Sequence, residues 1–207
     1  MSKIIDSYGP LNKKHERQIY ATIDAAMRDY PRLLVVRFDL RLPGEELQDC
    51  LTDYRPDHGV WSRFIRSLVA QIKANIRRRK KQGKRVYPCK VRYIGVREFD
   101  SSGTKPHYHV CLLLNYLMYC GLHFKRSEHT NQRYPTGLPR MITNAWVRAL
   151  KLEDKKYHKL VYFPENCACF IFCEEDLDGV VQRVLYLAKT RSKHNEDGWR
   201  NFYCSRR

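Results

Sequence analysis

Two histidines flank a tyrosine in His107-Tyr108-His109, and the apolar run Val110-Cys111-Leu112-Leu113-Leu114 follows directly. Such a run reads as a buried strand, and side chains two apart on a strand leave from one face. The two imidazoles therefore stand side by side, within reach of one metal ion. A pair of hydrogen-bonded core or edge histidines has the same spacing, so its companions decide the reading. Glu98 closes the strand-like run Val91 to Phe99, and Asp100-Ser101-Ser102-Gly103-Thr104 is turn chemistry that folds the two runs into a hairpin. Glu98 then falls beside both histidines. Taken alone it reads as a solvated hairpin carboxylate. Taken with two imidazoles it makes a donor set that leaves coordination positions open for a substrate oxygen.

Tyr186 and Lys189 are the second candidate pair. At helical spacing Leu177, Val180, Val181, Val184, Leu185 and Ala188 form one apolar stripe, with Gln182, Tyr186, Lys189 and Lys193 on the other side. A phenol and an ammonium at i and i+3 are neighbours on a helix. A surface Tyr beside a Lys is common, so this pair gains meaning only from the histidines.

The elements that must position these residues follow from periodicity and breakers. A helix is expected from about Leu11 to Asp29, stopped by Pro31, and a strand over Leu33 to Leu40. Asp39 at its end is within reach of a metal held by the histidines, but reads more readily as a strand-end surface carboxylate. Arg41 to His58 is loop, and Val60, Trp61, Phe64, Ile65, Leu68, Val69, Ile72 and Ile76 mark a long amphipathic helix. Tyr119 to Pro139 carries polar and turn residues and is expected to be a functional loop near a ligand. A short helix at about Ile142 to Leu150, a strand pair near Lys159–Phe163 and Cys167–Cys173, and the Tyr186 helix complete the chain. This order predicts an α+β fold, a central antiparallel sheet of about five strands of split βαβ, ferredoxin-like kind, flanked by helices. The expected organisation is an N-terminal helical extension over 1–31, one domain over 32–193 and a basic tail over 194–207.

Composition points to a polyanionic partner. The chain of 207 residues carries a formal net charge of +17, and its pI is near 9.7, a field that attracts nucleic acid. The charge is clustered: Arg77, Arg78, Arg79, Lys80 and Lys81 form one group, Lys189, Arg191 and Lys193 a second, and Arg206-Arg207 a third. With Lys105 beside the histidine motif, these are the candidate DNA contacts. Charge runs are commonly just solvated faces. The 14 Tyr, 8 Phe and 3 Trp supply rings for stacking bases, although most of them belong to the core. No apolar leader opens the chain and no run reaches transmembrane length, so no membrane partner and a cytoplasmic location in a host cell are expected. Eight cysteines with no paired C-x-x-C read as free thiols, those of Cys167 to Cys173 as small buried ones on an apolar strand. A G-x-x-x-x-G-K-[ST] loop is absent, which excludes ATP-driven unwinding of this standard type.

In combination and in chain order, Glu98, His107-Tyr108-His109 and Tyr186-x-x-Lys189 resemble the active site of the HUH endonucleases. Within that superfamily the chain is similar to the YagK/YfjJ type of inovirus-like replication protein. The resemblance implies a rolling-circle initiator that nicks single-stranded or hairpin origin DNA. Glu98, His107 and His109 would hold Mg²⁺ or Mn²⁺, Tyr186 would form a 5′-phosphotyrosine with a free 3′-OH, and Lys189 would stabilise charge. Host helicase and polymerase would act with it, and the oligomeric state is left open. Some relatives carry a second catalytic tyrosine; Tyr203 falls outside the helix. Readings that the sequence leaves open are a non-cleaving DNA-binding regulator, a hydrolase or oxygenase built on the same two histidines and carboxylate, and an HUH transposase or relaxase.

Overall fold

The computed structural model describes residues 9–43, 57–99, 106–120, 122–126, 133–153, 155–190, 193 and 197–205. They form a mixed fold of four helices and a mostly antiparallel sheet, dividing into two compact units: Met1–Asp39 with Pro88–Cys120 and Phe163–Arg207, and Leu40–Tyr87 with Gly121–Tyr162.

In the first unit, helix Lys13–Asp29 (α1) starts at Asn12, whose side chain accepts from the N–H groups of Lys14 and His15, satisfying two donors that the first turn leaves open. It ends before Pro31, as a proline demands of the residue ahead of it. Strand Leu33–Leu40 (β1) follows. Strands Arg92–Phe99 (β2) and Pro106–Asn115 (β3) pair antiparallel, with Glu98 opposite His107 and Val96 opposite His109. β3 lies between β1 and β2, the split βαβ order. Ala168–Ile171 (β7) pairs with β1, and Phe202–Cys204 (β8) pairs with β2.

Both faces of this sheet are buried, and one of them carries a core cluster under two helices. Leu33 and Val35, Ile94 and Val96, and Cys111 and Leu113 are buried with Ile19, Ile23 and Ala26 of α1 and with Val180, Val181, Val184 and Leu185 of helix Glu175–Leu185 (α4). α1 thus packs its Ile19, Ile23 and Ala26 stripe into the core cluster. Residues 202–204, expected within the tail, form β8: Val96 and Ile94 need a neighbour, and Phe202 and Cys204 supply one.

The second unit joins helix Val60–Lys81 (α2), hairpin strands His123–Arg126 (β4) and Arg133–Thr136 (β5), and helix Gly137–Ala149 (α3). Phe64 of α2 meets Trp146 of α3 edge-on at 5.8 Å, and the Trp146 indole donates to Arg41 O at 2.7 Å. Where a loop was expected from Tyr119 to Pro139, the chain makes β4, β5 and the first turn of α3. Pro139 is tolerated inside that helix because first-turn N–H groups have no helical partner. Of the two strands expected near Lys159–Phe163 and Cys167–Cys173, the first is cut to Val161–Tyr162 (β6), and the second, Ala168–Ile171, pairs with β1. The seven described cysteines are free thiols; of the three expected to be buried, Cys167 and Cys169 are half-buried and Cys173 is exposed. Among the described residues no helix is long and apolar enough to cross a membrane.

Candidate active site

The face that carries the core changes character along its length. Past Val35, β1 continues with Arg37 and Asp39; past Val96, β2 ends with Glu98; before Cys111, β3 begins with His107 and His109. Three strands therefore deliver their polar residues to one end of one face, which is where alternation places residues two apart.

His107 Nε2 and His109 Nε2 lie 3.2 Å apart, and His109 Nε2 is 3.7 Å from Glu98 Oε2. Glu98, His107 and His109 each offer a ligand atom, all within 4.8 Å of one another. Asp39 Oδ1 sits 2.6 Å from His109 Nδ1. With the proton of that ring held on Nδ1 by the carboxylate, the Nε2 lone pair points at the other two donors, the arrangement that orients metal-binding imidazoles. Burial, followed by the neighbouring His109, holds the His107 pKa below its ordinary value, so the ring is neutral and competent to ligate at neutral pH. Two imidazole nitrogens and one carboxylate suit a divalent cation, Mn²⁺ rather better than Mg²⁺.

Glu98 is buried, only 2% exposed. Its charge is met by two ammonium groups: Lys189 Nζ at 2.9 Å from Oε2 and Lys193 Nζ at 3.4 Å from Oε1. Lys193 also donates to the carbonyl of Lys189. Burial lowers the Lys193 pKa while Glu98 pulls it the other way. Lys193 was expected as a DNA contact on a helix surface; its ammonium is buried on Glu98 instead, because the helix stops before it.

That stop also places Tyr186. α4 ends at Leu185 and a tighter 3₁₀ turn takes Tyr186–Ala188. Tyr186 is half-buried against the rim of the core rather than opposite it, and its oxygen accepts from Lys189 Nζ at 2.5 Å. The Arg37 guanidinium lies 5.2 Å from the centre of its ring, and the His109 ring 6.2 Å away. The turn is clamped by the segment before α1: Asn12 N–H donates to Ala188 O at 2.8 Å, and Thr190 N–H to Pro10 O at 3.1 Å.

Residues 1–205 match the YagK/YfjJ C-terminal domain. The chain belongs to this family. Its relatives include the uncharacterized protein YagK of Escherichia coli (strain K12), 37% identical over 85% of this chain and 84% of YagK. The uncharacterized protein YfjJ of the same strain is 31% identical over 91% of this chain and 92% of YfjJ. No solved structure matches. Membership of the YagK/YfjJ family thus covers both units described above and assigns neither an activity.

Of the residues expected from sequence, Glu98, His107, His109, Tyr186 and Lys189 are brought together in the first unit. Arg77, Arg78, Lys80 and Lys81 stand exposed at the end of α2 and Arg79 is half-buried; four of these five lie in its last turn, where cations also complement the helix dipole. Lys105 and Arg191 lie outside the described residues. Tyr203 pairs with Gly95, so it points to the face opposite Glu98 and the histidines, and its hydroxyl donates to Arg200 O at 2.7 Å. Sequence reasoning undervalued Asp39 and misplaced Lys193. For Asp39 the available signal was its spacing of two from Arg37 and four from Val35 on a strand.

Proposed function

We propose that this protein is a metal-dependent HUH-type endonuclease that cleaves single-stranded or hairpin DNA through Tyr186, as an initiator of rolling-circle replication. The observation that carries the reading is the meeting of Glu98, His107 and His109 with a Tyr186–Lys189 hydrogen bond at one end of one sheet face.

A divalent cation held by Glu98, His107 and His109 would neutralise a phosphate oxygen and orient the phosphorus. Tyr186 Oη attacks phosphorus, its O–H proton is released, and the P–O3′ bond breaks. The departing O3′ takes up a proton, so the step yields a 5′-phosphotyrosine and a free 3′-OH with no net change in protons. The Lys189 ammonium, already bonded to the phenol oxygen, stabilises the negative charge as the proton leaves. Asp39 keeps His109 in the tautomer that presents Nε2. Arg37 holds a positive charge beside the Tyr186 ring, where an incoming phosphate is attracted. Because the phosphotyrosine is itself a phosphodiester, a 3′-OH can attack it in reverse and rejoin the strand. With Tyr203 on the other face, the reading uses one tyrosine.

The test is incubation of the protein with labelled single-stranded DNA from its own replicon and Mn²⁺, followed by denaturing electrophoresis. A covalent protein–DNA adduct is expected, lost with Tyr186→Phe and lost with EDTA. An adduct that survives Tyr186→Phe, or none across the replicon with binding intact, overturns the assignment.

A further inference from the structure

The second unit contains a feature that the catalytic reading does not use. Helices α2 and α3 enclose an open groove of about 500 Å³, lined on one wall by Gln71, Asn75 and Arg78 and on the other by Arg140, Asn144 and Arg148. The spacing is helical on both walls: 71, 75 and 78 repeat at i, i+4, i+7, and 140, 144 and 148 at i, i+4, i+8, so each set forms one stripe. Neither helix contains a single Asp or Glu, whereas α2 carries eight Lys or Arg and α3 two. Arg78, Arg140 and Arg148 are exposed, and no carboxylate pairs with them among the described residues.

We infer that this groove is a nucleic-acid strand site, in which the guanidinium groups of Arg78, Arg140 and Arg148 hold phosphates and the carboxamide of Asn144 reaches base or sugar edges. Guanidinium matches a phosphate in two parallel hydrogen bonds. A carboxamide, which both donates and accepts, complements the mixed donors and acceptors of a base edge. The site positions a strand and does no chemistry. It deepens the endonuclease reading by giving DNA a second point of attachment, yet it stands on its own observations.

The experiment uses the full chain carrying Tyr186→Phe in EDTA, so that binding is measured whether or not the protein cleaves. Fluorescence anisotropy with labelled oligo(dT), and separately with a labelled DNA hairpin, is recorded over a range of salt. Arg140→Gln with Arg148→Gln should make the plot of log K against log salt shallower by about 1.4 for the single strand, at roughly 0.7 per phosphate contact. The matched control Arg66→Gln with Lys73→Gln removes two exposed charges of α2 that do not line the groove, and should leave the slope nearly unchanged. A shallower slope on the hairpin alone also supports the site and assigns it the stem. Equal effects of the two double variants, or none, overturn the proposal, as does competition by poly-glutamate as effective as that by oligo(dT). All four side chains are exposed, and circular dichroism confirms that each variant is folded.

Discussion

The two ends of one sheet face behave as different materials. At one end Leu33, Val35, Ile94, Val96, Cys111 and Leu113 are closed over by α1 and α4. At the other, on the same three strands, stand Arg37, Asp39, Glu98, His107 and His109. The strands do not change between the ends; only the residues at alternate positions do. The first end holds the fold together by removing apolar surface from water. The second concentrates charge where the strands, already fixed, cannot relax away from it. Such a site is rigid because its neighbours along the strand are core.

The comparison is broken most severely at Glu98. Glu98→Ala leaves Lys189 and Lys193 facing each other in a buried setting, and breaking a buried ion pair from one side costs about 3–5 kcal/mol; urea denaturation should show the loss, with Glu98→Gln intermediate. At the apolar end, Leu113→Ala is expected to cost roughly 3 kcal/mol through lost burial and the cavity left, measured in the same way. Mn²⁺ affinity of the Leu113 variant, by calorimetry under native conditions, should remain near that of the parent. If the polar substitution costs nothing and the apolar one abolishes metal binding, the division of labour between the ends is wrong.

Asp39→Asn sharpens the comparison further. It removes a carboxylate without opening the core, so stability should hardly change, while Mn²⁺ affinity falls about 10- to 100-fold as His109 loses its orienting partner. The smallest effect lies at the border of the two ends. His15, stacked on Phe202 at 4.2 Å, has its pKa pushed down to about 4 by burial and by nearby Lys193. The unfolded chain therefore takes up a proton on this ring between about pH 6.5 and 4 that the folded chain refuses. Its contribution is fully present above pH 6.5 and is lost as pH falls toward 4. The half-exposed setting keeps the effect small, and His15→Phe should flatten the decline in urea midpoint over that window.

The strands bearing the site were legible because alternation and turn chemistry are local: Leu33 to Leu40, the β2–β3 hairpin and the approach of Glu98 to the histidines all follow from neighbouring residues. Asp39 was not, because its meeting with His109 depends on which strands lie side by side, a fact carried by no short window. Lys193 was misplaced because the helical pattern runs on past Leu185, while the backbone tightens there and is tied down by Pro10 and Asn12. The β4–β5 hairpin was hidden in a polar stretch whose pairing gives no apolar alternation to read.

The carboxylate of Glu98 has a further consequence for how the chain is made. Its two counter-cations, Lys189 and Lys193, are synthesised long after it. On the ribosome, β2 and β3 emerge with a charge to bury and nothing yet to neutralise it, so that end of the hairpin stays hydrated until the last helix and its trailing turn arrive. The segment that brings the phenol also brings the cations, and the two are installed together. A chain truncated before Tyr186 would therefore have neither a settled Glu98 carboxylate nor the phenol beside it.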